Sequence, residues 1–230
     1  MKTDILEFVE GAKLARGLAV IIDVFRAFSV ECYAYAGDAA SVIATGSVEE
    51  AFKLKDKYRN SILAGERDEL KVEGFDLGNS PTEIICCNLE GKTLIHTTTA
   101  GTCGLVNAVN CHTVLAGSLV NASAIAKYIL QTNADQVSLV AMGYRARESA
   151  EEDILCAEYI RSMLNGESGK FEARIADLRN SAGKRFFNPD NADFSPPSDF
   201  FLCTMTNRFG FVLSAERRYD GNMDMRKIDV

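Results

Sequence analysis

Short apolar runs alternate along the chain with segments whose apolar positions recur every three or four residues. "LAVII" (18–22), "SVIATG" (41–46), "SILAGE" (61–66), "KTLIHTTT" (92–99), "HTVLAGS" (112–118) and "QVSLVAMG" (136–143) read as buried strands. Between them, residues 27–36, 47–59, 121–132 and 150–164 carry helical spacing, and "GTCGLVNAV" (101–109) opens a further helix on small residues. Ser47 followed by Glu50 has the spacing of a capping box at the start of its helix. Strands alternating with helices in this way predict βα units, hence an α/β fold with a mostly parallel sheet flanked by helices. Residues 18–165 make up this core. In residues 166–230 the pattern is mixed: 171–186 reads as helical and 188–200 as a connection rich in Pro, Asp and Asn. The expectation is a C-terminal helical or edge-strand extension packed on the same domain, so that 1–230 form one unit.

Polar residues gather where these runs end. Asp23, Glu66, Thr97–Thr99, Ser118 and Gly143 all fall at C-terminal ends of predicted strands, the side on which open α/β sheets place their ligands. Asp23 suits Mg²⁺ ligation or attack on phosphorus, or else caps the following helix. Arg26 either grips an acidic ligand or pairs with Asp23, and Ser29 either donates to an oxyanion or packs within its helix. Glu66 and Arg67 end the next acidic run. The turn Gly78-Asn79-Ser80-Pro81 places Ser80 as N-cap and Pro81 at the first helical position, offering amides to an anion or closing a plain surface loop. Thr98, Thr99, Gly101 and Thr102 would form a phosphate cradle, although no Gly-Lys-Ser/Thr follows as in a P-loop. Ser118 and Asn121 are ligand groups or caps. Glu152 and Asp153 either complement a helix dipole or serve as metal ligands facing Asp23. His96 reads as a satisfied core histidine and Cys156 as packing.

Charge narrows the classes. A net charge of −7 over 230 residues argues against nucleic acid or an anionic membrane as partner, while leaving room for a small anionic phosphoester in a locally positive pocket. No apolar run is long enough to span a bilayer, and "MKTDILEFVEGAK" at the start carries acids where an export signal needs apolar residues. A cytoplasmic protein is expected. Seven cysteines without a C-x-x-C pair, beside only two histidines, suggest reduced thiols rather than a zinc site. There is no G-x-G-x-x-G fingerprint. An acidic α/β enzyme of this size is commonly a homodimer.

Taken together, "VIIDVFRAFS", "LAGERDELKVEGFDLGNSP", "LIHTTTAGT", "GSLVNASA" and "EEDILCA" resemble, in order and spacing, the 2-phosphosulfolactate phosphatase family. The resemblance covers residues 18–160 and continues weakly through "TNRFGFVLSAERRYDGNMDM"; the "GFDLGNSP" string is its most specific part. It implies a Mg²⁺-dependent phosphomonoesterase that converts 2-phospho-3-sulfolactate and water to sulfolactate and phosphate, a step of coenzyme M biosynthesis in methanogens. Relatives occur where that pathway is absent, so a related 2-phospho-hydroxyacid is equally open as substrate. On this reading Asp23, Glu66, Glu152 and Asp153 form the Mg²⁺ shell. Thr98, Thr99, Gly101 and Thr102 hold phosphate oxygens, and Arg26 and Arg67 neutralise the substrate. Family members usually carry Asn at the position of Ala100 and Gly at that of Glu158, and the loop "YRARES" (144–149) is richer in charge than their turn. The alternatives are a non-catalytic phospholigand-binding protein and a nucleotide-dependent transferase.

Overall fold

The computed structural model describes residues 1–167 and 169–230. Six strands form where the apolar runs predict them: β2 (Gly17–Ile22), β3 (Ser41–Ala44), β4 (Ser61–Arg67), β6 (Thr93–Thr97), β7 (Cys111–Gly117) and β8 (Gln136–Ala141). Two more were not read from the sequence. One is β1 (Lys2–Glu7), whose side chains are at most half-buried, and the other is the two-residue β5 (Leu70–Lys71). The predicted helices are present as α2 (Ala27–Ala36), α3 (Val48–Lys57), α5 (Gly101–Asn107), α6 (Ala122–Thr132) and α7 (Glu151–Leu164). Helix α4 (Pro81–Cys86) starts at Ser80-Pro81 as read, and α1 (Phe8–Leu14) is an addition. The Ser47 hydroxyl accepts from the Glu50 amide as expected, but the Glu50 carboxylate turns outward to Lys53, so the box is half made.

The C-terminal region departs from the expectation. Residues 171–186 do not form one helix: α8 (Phe171–Asp177) gives way to short 3₁₀ turns, and α9 (Pro197–Thr204) begins inside the segment read as a connection. Its strands, β9 (Phe211–Arg217) and β10 (Met223–Asp229), form a hairpin that lies within the sheet rather than at its edge. The order β1-β8-β2-β7-β9-β10-β3-β6-β4-β5 consists of two parallel groups joined by that antiparallel hairpin. β9 pairs antiparallel with β7, and β10 antiparallel with β3. The two parallel groups therefore run in opposite directions along the sheet.

Strand twist resolves the apparent conflict with a single ligand crevice. Neighbouring strands rotate by about 20–25° with constant hand, so the six steps from β2 to β4 accumulate roughly 120–150° and offset much of the reversal. The sheet curls, and both groups contribute to one core: Ile21, Ala116 and Val140 share it with Val42, Ala64 and Leu94. At its centre is α2, buried from Ala27 through Ala34 on every face, as a helix surrounded by protein must be. A second core packs the outer face of β2, β7 and β8 under α6, α7, α8 and α9, through Ile125, Leu155, Ile175 and Phe200. A third seats Leu54 of α3 on Ile43, Leu63 and Ile95. No helix among the described residues is long and apolar enough to cross a membrane.

Candidate active site

The ends of β2 and β4, the turn after β6, the start of α7 and the 3₁₀ turn at Ala182–Phe187 line one small cavity of about 50 Å³. Asp23, Glu66, Glu152 and Asp153, predicted from segments far apart in the chain, all line it, as do Arg26, Asn79 and Thr99. Asp23 directly follows β2. Its Oδ1 accepts from the Ala27 amide at 3.1 Å. A Cβ added at Gly101 would sit 2.8 Å from its Oδ2, so only glycine lets the start of α5 approach so closely. Asp153 accepts from the amides of Val24 (2.8 Å) and Gly143 (2.9 Å), tying α7 to the ends of β2 and β8. Glu66 accepts from the Thr99 amide at 2.7 Å, the Glu69 amide at 2.8 Å and the Thr99 hydroxyl at 3.2 Å. Just before it, Gly65 has φ +154° and would place a Cβ against the Thr97 carbonyl oxygen, which brings β4 close to β6.

Three of these acids are held where their charge is unwelcome. Burial pushes the Asp23 carboxyl up to about 6; the Ala27 amide opposes this and the Glu66 charge adds to it. Burial likewise pushes Glu152 up to about 7, with Arg185 pulling it back and Asp23 raising it further. Asp153 is raised well above the carboxylate range by burial and then by its neighbours Glu152 and Asp23. The Glu152 Oε2 is buried without a hydrogen-bond partner. Crowded, desolvated carboxylates with an orphaned oxygen make a donor set that a cation would satisfy. Asp23 and Glu152 offer the freest oxygens. Among the described residues no three acid, histidine or cysteine side chains close into a complete metal cage.

Several expected contacts are made with the protein itself. Asp199 of α9 accepts from the Ser80 hydroxyl (2.8 Å) and the Thr82 amide (2.9 Å), while the Ser80 hydroxyl accepts from the Glu83 amide at 3.3 Å and the Gly78 amide donates to the Glu83 carboxylate at 2.7 Å. The anion at the start of α4 is thus a protein carboxylate, so Ser80 holds α4 and α9 together. The other Asp199 oxygen pairs with Arg26 at 2.7 Å, both side chains almost wholly buried, which makes Arg26 an anchor for α9. Thr98 and Thr102 bond each other's amides reciprocally at 3.1 and 3.2 Å; they lock the turn, and Thr99 is the threonine that lines the cavity. Ser29 bonds the Ser118 hydroxyl at 2.7 Å and the Val24 carbonyl, while Asn121 Oδ1 caps the Ser118 amide at 3.0 Å. All three are fully buried, stitch α2 to the end of β7 and stand outside the cavity lining. Arg67 reaches the Thr97 hydroxyl at 2.9 Å rather than the cavity. His96, as expected, is satisfied in the core between Glu31 (3.0 Å) and Asn79 (3.2 Å).

Sequence reading missed the opposite wall. Arg185, Tyr144, Arg145, Asp68 and Glu69 line the cavity, and none was read as a site residue, although Asp68 and Glu69 lie inside the "LAGERDELKVEGFDLGNSP" string and Tyr144 and Arg145 in the charged 144–149 loop. Asp68 and Glu69 have φ of +54° and +73°, and Arg145 and Ala146 +53° and +55°, so two tight turns carry non-glycine residues in left-handed conformation. The tips of these turns meet through Arg145 and Asp68 (3.1 Å). Successive charged residues between strands at 67–70 and in 144–149 were the available signal. Of the three departures read from the sequence, Ala100 and the 144–149 loop, through Tyr144 and Arg145, line the cavity. Glu158 pairs with Arg174 at 2.7 Å on the far part of α7 and does not touch it.

This geometry can be set beside known proteins. The family model described as 2-phosphosulpholactate phosphatase matches residues 4–191. A "Probable 2-phosphosulfolactate phosphatase" of Carboxydothermus hydrogenoformans is 44% identical over 173 residues, covering 75% of this chain and 71% of the relative. A protein of the same name from Bacillus subtilis is 31% identical over 202 residues, 86% of each chain. Another from Clostridium acetobutylicum is 36% identical over 176 residues, 75% of this chain and 74% of the relative. The match spans every element that contributes to the acid cluster, from β2 through the 3₁₀ turn bearing Arg185, and the chain belongs to the 2-phosphosulfolactate phosphatase family.

Proposed function

We propose that the chain is a Mg²⁺-dependent phosphatase that hydrolyses 2-phospho-3-sulfolactate, or a related 2-phospho-hydroxyacid, to the hydroxy acid and phosphate. Family membership and the names of the relatives support the phosphatase class. The observation that carries the cation is the mutual crowding of Asp23, Glu152 and Asp153 around a buried oxygen with no partner. Mg²⁺ commonly takes one or two carboxylates and completes its octahedron with water and substrate phosphate, so an incomplete protein cage suits it.

A phosphomonoester dianion repels its nucleophile, and catalysis rests on charge neutralisation and alignment. Asp23 and Glu152 would hold the metal ion, which when bound supplies positive charge against the phosphoryl oxygens. Asp153 fixes the ends of β2 and β8 through two backbone amides, beside the carboxylates that would hold the cation. Glu66 organises the turn that bears Thr99 and the turn that bears Glu69 from a single carboxylate. Among the described residues the amides of Ala100 and Gly101 have no acceptor within the protein, and they lie beside Asp23, where a phosphate oxygen would receive them.

The test is phosphate release from a panel of 2-phospho-hydroxyacids, with and without Mg²⁺, by the wild type and Asp23→Asn. Turnover should require Mg²⁺ and fall on the order of 10²–10³-fold in the variant, with its circular dichroism unchanged. Metal-independent turnover, or an active variant, refutes the assignment. Tight binding without release would favour the phospholigand-binding reading, to which Ala100 in the cavity wall is the pertinent departure.

A further inference from the structure

Arg185 stands where two spaces meet. It lines the inner cavity and also an open outer hollow of about 490 Å³, whose other charged lining residues are Glu69, Glu148, Glu151 and Glu152. It is the one cation among the residues lining that hollow. Its backbone is set by the next residue, Phe186, which is fully buried and packs edge-on against Phe25 at 5.1 Å, and by Asn191, which donates to its carbonyl. The side chain then crosses Phe186 and Tyr144, with its guanidinium 5.1 and 5.9 Å from their ring centres.

The cations around the inner cavity are not equally free. Arg26 also lines the cavity, but its Nη1 is committed to Asp199 and the Phe194 carbonyl, and the side chain is almost wholly buried. Arg145 pairs with Asp68, but about half of its side chain is exposed, so its contribution is weak. Arg185 is different: it bonds the Phe25 carbonyl at 3.1 Å and pairs with Glu69, while its Nε is buried without an acceptor. Glu69 belongs to a tight turn in left-handed conformation, and its backbone amide donates to the Glu66 carboxylate. Glu69 is thus a partner the guanidinium can exchange without breaking the core. An Arg with an unpartnered Nε–H and an exchangeable partner suits charge-assisted recognition of an acid group.

Resting on the phosphatase reading above, we propose that Arg185 determines substrate specificity. It exchanges Glu69 for the acid group on the alcohol half of the phosphoester, so the site selects esters of hydroxy acids over those of neutral alcohols. The phosphate sits in the inner cavity beside Asp23, and the alcohol half points to the outer hollow. There the charged lining is four carboxylates and Arg185, so Arg185 is the group that can attract an anion.

The matched pair 2-phospholactate and isopropyl phosphate, which differ by a carboxylate against a methyl, tests this with Mg²⁺ present. Arg185 also pulls down the carboxyls of Asp23 and Glu152, so absolute rates will fall for both esters in Arg185→Met, and the ratio is the informative quantity. The wild type should prefer 2-phospholactate. Arg185→Met should collapse the ratio of kcat/KM values by roughly 100-fold, as expected for loss of a charge-assisted contact, and Arg185→Lys should recover part of it. Glu69→Gln should lower KM for 2-phospholactate. A proportional fall for both esters in Arg185→Met overturns the proposal. If the wild type hydrolyses neither ester, calorimetric binding of 2-phospholactate decides the role of Arg185 by itself, and the phosphatase reading fails only if 2-phospho-3-sulfolactate is left intact as well. Weaker binding by Arg185→Met then supports it. Equal binding, or no wild-type preference over isopropyl phosphate, ends it.

Discussion

Glu152 lies in the first turn of α7, where an acid complements the helix dipole, yet burial and the Asp23 charge work against its ionisation. Glu152→Gln keeps the shape and removes the charge. In Mg²⁺-free buffer at pH 8 its melting temperature should exceed the wild type's by several degrees, while the stabilisation given by added Mg²⁺ shrinks. A thermal melt with and without the metal reads both, and a lower melting temperature without metal would show that the charge is structurally paired. This acid, like Asp23, Glu66 and Asp153, was legible because a carboxylate next to an apolar strand end or at a helix start is conspicuous in one dimension. The hydroxyls were not, because Ser, Thr and Asn satisfy backbone amides as readily as they bind ligands. Thr98, Thr102, Ser118 and Asn121 take the first course. Arg185 was hidden for the converse reason: nothing in "GKRFF" announces that burial of Phe186 will turn its neighbour toward residues more than a hundred positions earlier.

At the scale of elements, the runs that reported themselves were the mostly buried strands of the two parallel groups, β2, β3, β4, β6, β7 and β8, whose short apolar stretches suit a sheet covered on both faces. The half-exposed β1 and the helix α9 did not, α9 because its start lies within "SPPSDF", which reads as a loop until Pro197 is seen at the first helical position. What attaches α9 is a polar joint. Asp199 receives Arg26, Ser80 and the Thr82 amide, all from the site-bearing half of the chain. Asp199→Ala would leave a buried guanidinium without its carboxylate and should cost about 3–5 kcal/mol in urea unfolding. Asp68→Ala, which breaks the exposed pair with Arg145, should cost under about 1 kcal/mol. The double variant Arg26→Met/Asp199→Leu should recover much of the loss, since an apolar pair replaces an ion pair that burial already penalises. If the single Asp199 variant proves as mild as Asp68→Ala, the joint does not hold α9.

For the whole molecule, local patterning revealed the parallel units but not that the C-terminal hairpin would set them in opposite directions within one sheet. That arrangement depends on pairings between β7 and β9 and between β10 and β3, far apart in sequence and short in extent. The resulting curl brings acids from both parallel groups into one dry place, and the consequence is a dependence on pH. With the carboxyls of Asp23 and Glu152 raised to about 6 and about 7, the folded protein without metal holds protons that the unfolded chain has already released. Stability from these groups is therefore complete below the ordinary carboxylate range and is lost as pH rises through 6 to 7, on the order of a few kcal/mol by pH 8. A divalent cation binds the deprotonated pair and must compete with those protons. Mg²⁺ should accordingly leave the melting temperature nearly unchanged at pH 5 and raise it progressively from pH 6 to 8, with Ca²⁺ following the same trend and Na⁺ at equal ionic strength giving none of it. In Asp23→Asn the metal-free loss of stability toward pH 8 and the Mg²⁺ gain should diminish together, because both come from the same buried charge. A Mg²⁺ effect that is the same at pH 5 and pH 8 would mean that the cation binds at the acidic surface and not in the cleft that the curled sheet creates.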